Sequence, residues 1–144
     1  MKTENPNSTP LTALAATATA AVAVQAATER SVDDLVQRIR SGDADVRGDA
    51  WQGAAPYGAP AIDPLADVMT DPDFEVARSA RRAMWNIVRH AGRPGAREER
   101  QAVQAALIPL LRSEIVAIKR EVLWMLSEIG GNRAVRPIAR LLND

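Results

Sequence analysis

The segment IKREVLWMLSEIGGNRAVRPIARLL, Ile118 to Leu142, decides how the whole chain is read. Its first half sets Ile118, Val122, Met125 and Leu126 at offsets of zero, four, seven and eight, the apolar face of a helix. Gly130 and Gly131 then interrupt it, and a second helical segment carrying Pro137 follows. Working towards the N-terminus, the same phase recurs twice without gaps. VARSARRAMWNIV aligns Val76, Ala80, Ala83 and Met84, and VRGDAWQGAAPYG aligns Val46, Ala50, Gly53 and Ala54. The small residues in the second and third places of this pattern let neighbouring helices approach closely.

Each copy is followed by a shorter second segment. AIDPLADVM, ALIPLLRSE and AVRPIARLL align on Pro64, Pro109 and Pro137, and SVDDLVQRI from Ser31 fits the same frame without the proline. Asp43 and Asp45, Asp71 and Asp73, and Ser113 with Glu114 stand where first helices begin and suit their N-termini. Gly58 and the Gly130–Gly131 pair occupy turns. The spacing is 30 residues from Val46 to Val76 and 42 from Val76 to Ile118, so the second copy carries an insertion, RHAGRPGAREER, residues 89–100. Proline in a helix interior removes a hydrogen bond and clashes with the preceding turn. A break near Ala105–Ile108 is therefore expected within the run ending at Arg112.

Composition agrees with an all-α chain. Hydrophobic residues make up 47% and charged residues 25%, while aromatics reach only 3%, which disfavours a β-sandwich. The formal net charge is zero, so bulk charge points to neither a polyanion nor a membrane surface. There is no cysteine and a single histidine, His90, which removes disulfides, thiolate chemistry and multi-histidine metal sites. No catalytic residue, metal or cofactor is expected. Residues 1–10 read as a disordered tail and 11–30 as an Ala/Thr-rich, partly helical segment. The stretch 11–27 lacks a basic lead and is interrupted by Thr12, Thr17 and Thr19. The expected location is thus cytoplasmic, with secretion through an atypical signal segment 1–27 as the alternative.

The three in-phase copies resemble HEAT repeats, in particular the short type of phycobilisome lyases, with a first helix close to D-x-x-V-R-x-x-A-x-x-A-L-x-x-I-G. The resemblance covers residues 31–144 and is best in the third copy. The first copy departs at Gly48 and Gly53, the second at Ala77 and in its insertion. It implies an α-solenoid of about three and a half helix–turn–helix repeats, with seven helices from Ser31. It also implies a non-catalytic scaffold that binds another protein through its concave face, and the 89–100 insertion is expected to contact the same partner. In such folds the second helices line the concave face. One of their polar columns holds Gln37, Asp67, Arg112 and Arg140, and another Asp33, Asp63, Ile108 and Arg136, both running from acidic to basic. An Asp67–Arg112 ion pair between repeats is the alternative use of those charges. A bilin lyase-like or chaperone subunit is a further reading that rests on the family name alone.

A second feature is local. Residues 41–75 hold eight acidic side chains against Arg47, whereas 76–100 hold Arg78, Arg81, Arg82, Arg89, Arg93, Arg97 and Arg100 against Glu98 and Glu99. This cluster suits an anionic partner, with nucleic acid as the alternative to protein, or mutual neutralisation along the stack. Trp51, Trp85 and Trp124 fall out of phase with one another and are expected to pack. Any left exposed, like Tyr57, would be an interface anchor. The last helix ends on Leu141 and Leu142 without a polar cap, so packing of that end on a partner or a second copy is one expectation, and sufficient polarity from Lys119, Arg120, Arg133 and Arg136 is the alternative.

Overall fold

In the computed structural model, which describes residues 11–143, every regular element is helical. The order is α1 (Leu11–Ile39), α2 (Ala44–Gln52), two 3₁₀ turns (Ala55–Tyr57 and Ala59–Ala61), α3 (Ile62–Val68), α4 (Phe74–Ala91), α5 (Arg97–Leu107), a 3₁₀ turn (Ile108–Arg112), α6 (Val116–Ile129) and α7 (Asn132–Leu141). The tail expected over residues 1–10 lies outside the described residues. The boundary placed at Ser31 falls inside α1, which runs unbroken. No glycine or proline separates the Ala/Thr segment from SVDDLVQRI, so helix propensity carries the turn through.

The starts of α2 and α4 follow the acidic signals. Asp43 Oδ1 accepts from the backbone N–H of Asp45 at 2.8 Å, and Asp73 Oδ1 from that of Glu75 at 2.9 Å. Such caps satisfy amide groups that have no partner inside the helix. The third signal works differently. Ile115 stands at the N-cap of α6 with no side-chain bond, while Ser113 Oγ accepts the Ile115 N–H at 3.1 Å one step earlier.

The apolar columns of the second and third copies are buried throughout: Val76, Ala80, Ala83 and Met84 on α4, and Ile118, Val122, Met125 and Leu126 on α6. The first copy departs. Val46 is 36% exposed, and only Ala50 and Ala54 of its column enter the core. Gly48 and Gly53 weaken this helix, which stops at Gln52 before the column is complete. Gly58, between the 3₁₀ turns, has φ +65° and ψ −155°, a conformation open to glycine and strained for other residues.

The prolines act in three ways. Pro64 sits in the first turn of α3, where its missing N–H costs nothing. At Pro109 the α-helix has already ended at Leu107 and tightened into a 3₁₀ turn, the break expected from the sequence. Pro137 lies inside α7, not near its start, because α7 begins as early as Asn132.

The 89–100 insertion is largely helical. Only residues 92–96 leave helical structure, and the remainder lengthens α4 to Ala91 and starts α5 at Arg97. Apolar residues at helical spacing explain it: Val88 and Ala91 continue the buried face of α4, and Val103 and Leu107 form that of α5. The core thus centres on α4, which packs on α1, α2, α3, α5 and α6, while α3 packs on both α1 and α5. α7 rests chiefly on the 3₁₀ turn at Ile108–Arg112.

Candidate functional site

The contacts of α4 with α2 and α6 bring two tryptophans and three arginines into one open cleft. Its walls are Trp51 from α2, Arg81, Arg82, Trp85, Asn86 and Arg89 from α4, and Glu121 from α6, around a volume of about 520 Å³. On α4 these positions recur three and four residues apart, so one helical face supplies them. The Arg82 guanidinium carbon lies 5.0 Å from the Trp51 ring centroid, and that of Arg89 lies 5.2 Å from the Trp85 ring. Both distances are within cation–π range.

One hydrogen bond orients the Trp85 ring and another ties the Trp51 backbone to α4. Trp85 Nε1 donates to Glu121 Oε2 at 3.1 Å, and Asn86 Nδ2 donates to the Trp51 carbonyl oxygen at 2.7 Å. Arg81 Nη1 stands 3.5 Å from Glu121 Oε1, so this half-buried carboxylate is neutralised by one arginine while it orients one indole. Among the described residues Arg82 and Arg89 make no ion pair. Each therefore lies against an aromatic face with its N–H donors available for a carboxylate or phosphate. Arg guanidinium is suited to such forked bonds because it is planar and always charged.

The other arginines of the cluster are separated from this cleft. Arg93 is committed to Glu99, with Nη1 to Oε2 at 2.7 Å and Nη2 to Oε1 at 2.8 Å, and His90 Nε2 lies 3.8 Å from the same carboxylate. The hydrogen bonds from Arg93 hold the Glu99 carboxyl below its ordinary range and raise the Arg93 guanidinium above its own. A lowered carboxyl adds stability above its unfolded-state value and loses it as pH falls through the lowered one. Arg93→Ala is accordingly expected to destabilise slightly at neutral pH, with the difference vanishing in acid and in high salt, as read by urea unfolding at several pH values. Arg97 is exposed at the first position of α5.

The residues of the second-helix columns lie outside this cleft. Asp63 and Asp67 are exposed on α3, Arg136 and Arg140 on α7, and Arg112 ends the 3₁₀ turn. The Asp67–Arg112 ion pair does not form: among the described residues neither side chain is ion-paired. Arg112 and Arg140 do come together, at the rim of a separate hollow of about 370 Å³ floored by Ile108, Leu111 and Leu141. Tryptophan placement was only partly legible. Trp51 and Trp85 are half-buried against the core, but Trp124 is 63% exposed. The sequence signal that would have found the cleft is the pairing of an out-of-phase tryptophan on one helix with arginines on the next.

No protein-family model matches the chain, and a comparison with curated proteins returns no match. Function therefore has to be argued from the geometry of the chain itself. No helix among the described residues is long and apolar enough to cross a membrane. Among those residues no three His, Cys, Asp or Glu side chains group to hold a metal ion.

Proposed function

We propose that this chain is a non-catalytic binding module, a short HEAT-like solenoid that holds an acidic segment of another protein. The observation that carries the reading is the pair of arginine–tryptophan stacks, Arg82 on Trp51 and Arg89 on Trp85. Stacking holds the long arginine side chains in place before a ligand arrives, so less conformational entropy is lost on binding. Tryptophan and arginine are also the residue types that dominate interface energetics. The proposed surface lies on the α2, α4 and α6 face, not on the second helices that the family resemblance favours, because the unpaired cations and the fixed aromatics meet there. The remaining arginines of the 76–100 stretch contribute less, since Arg93 is occupied by Glu99 and Arg78 lies 3.6 Å from Glu75.

A nucleic-acid reading has its own support, in that Arg81, Arg82 and Arg89 crowd one cleft against the single carboxylate of Glu121. The protein reading is preferred because one face of each indole already carries a guanidinium group, which leaves less ring surface for base stacking. The test is fluorescence anisotropy with a labelled oligoglutamate peptide and a labelled oligothymidylate at low salt. The expected result is peptide binding that weakens about tenfold or more in Arg82→Ala/Arg89→Ala, the loss of two charge-assisted contacts. Tight binding of the oligonucleotide with none of the peptide would reverse the preference.

A further inference from the structure

The arginine cleft does not end at Arg81. On the far side of Arg81 and Glu121 a second, smaller hollow of about 130 Å³ opens between the first turns of α4 and α6. Its walls include Met69, Phe74, Ala77 and Ala117, with Arg120 at the side, and it shares Arg81 and Glu121 with the arginine cleft. Phe74 is the chain's single phenylalanine, yet it is 70% exposed at the first position of α4. Val116 opens α6 and is 72% exposed, and Ile115, just before it, is also exposed. An apolar end and a cationic end therefore share one surface along α4.

The dimensions limit what could lie there. Phe74 and Arg89 are fifteen residues apart on α4, about 22 Å at roughly 1.5 Å per residue. That length accommodates about seven residues of extended chain at roughly 3.3 Å each. Along it the unpaired positive charges are Arg82 near the middle, Arg89 at the far end and Arg120 beside the apolar hollow, while Glu121 is taken up by Arg81 and Trp85. A purely acidic peptide would leave Phe74 and Met69 uncovered, and a purely apolar one would bury guanidinium groups without partners.

We propose that the α4–α6 face takes a short extended segment of a partner protein in which an apolar side chain and carboxylates lie a few residues apart, in one chain direction or the other. The apolar residue seats on Phe74, Met69 and Ala117, and the carboxylates meet Arg82 and Arg89. This inference rests on the binding reading above and narrows it to a composite motif. Arg120 stands beside the hollow, so a carboxylate next to the anchor is matched as well.

Two fluorescein-labelled octapeptides test it, one carrying a leucine pair ahead of four glutamates and one in the reverse order, each paired with a counterpart in which serines replace the leucines. Binding is measured with the full chain by anisotropy at low salt. At least one leucine peptide is expected to bind about tenfold more tightly than its serine counterpart, as for an apolar anchor at an interface. Phe74→Ser should erase that advantage and leave the serine peptide unchanged. Because Phe74 is exposed, this variant should keep the parent's helical circular dichroism and unfolding midpoint. Equal binding of leucine and serine peptides, or an advantage that survives Phe74→Ser, overturns the composite motif while the acidic-segment reading stands. Failure of every acidic peptide to bind removes both.

Discussion

Leu65→Ala is expected to lower the free energy of unfolding by about 2–5 kcal/mol, the range for deleting a fully buried leucine side chain. Leu65 has no exposed surface, and its short helix α3 is held by α1, α4 and α5 at once. The loss combines the transfer free energy of the removed carbons with a cavity that the surrounding Ala-rich packing closes poorly. Small side chains such as Ala61, Ala66, Ala80 and Ala83 have little freedom to move into the space. Against a total stability of roughly 5–15 kcal/mol, that is a large fraction. In urea the midpoint should fall while the slope stays constant. Phe74→Ala makes the control, since the same experiment should register roughly 0.5 kcal/mol or less for a side chain so exposed. A loss below about 1 kcal/mol for Leu65→Ala would mean that α3 is not part of the cooperative core.

The second large effect is expected at Gln104. This side chain is only 6% exposed, and its amide Nε2 donates to the Ile129 carbonyl at the end of α6. The last carbonyls of a helix have no partner within it, so Gln104 satisfies from α5 a group that α6 cannot satisfy itself. Gln104→Leu keeps the volume and removes the donor, leaving the buried carbonyl unpaired at a cost of about 1–3 kcal/mol. Gln104→Glu sharpens the test, because a carboxylate would face the carbonyl oxygen at neutral pH whereas a protonated carboxyl can donate to it. Burial beside an acceptor raises that carboxyl's folded-state value, so its contribution is present at low pH and lost as pH rises through the raised value. The deficit of Gln104→Glu relative to the parent should therefore shrink in acid, while that of Gln104→Leu should not. A pH-independent deficit for both variants would show that the donor at this position is unimportant.

Leu65 and Gln104 also mark the limit of what patterning reveals. Leu65 sits in a recognisable apolar frame, AIDPLADVM, and its burial follows from period. Gln104 lies in REERQAVQAAL, where a polar side chain after a charged run reads as solvated, and nothing local announces the distant carbonyl it serves. Phe74 carries the opposite lesson. Hydrophobicity alone would rank it a core residue, but its place at the first position of α4 turns it outward.

The cleft was visible in part for the same reason. The density of arginine over residues 76–100 is a property of the sequence, and Arg81, Arg82 and Arg89 are drawn from it. Trp51 lies 35 residues before its partner Asn86, and Glu121 lies 40 residues after Arg81. Their pairing depends on how α2 and α6 are rotated against α4. Arg93, equally prominent in the sequence, is withdrawn by Glu99 because the turn at residues 92–96 folds the start of α5 back onto the end of α4.

Taken by itself, the segment from Ile118 to Leu142 and its in-phase copies determined that the chain is helical, where its first helices lie and which of their faces are buried. Those properties depend on side-chain period, capping residues and proline, which act within a few turns of one helix. Only the tertiary structure decided that the Arg82 guanidinium lies on the Trp51 ring and that Gln104 serves the carbonyl end of α6. Each of these depends on the approach of helices far apart in the chain, and no local signal encodes the angle at which two helices meet.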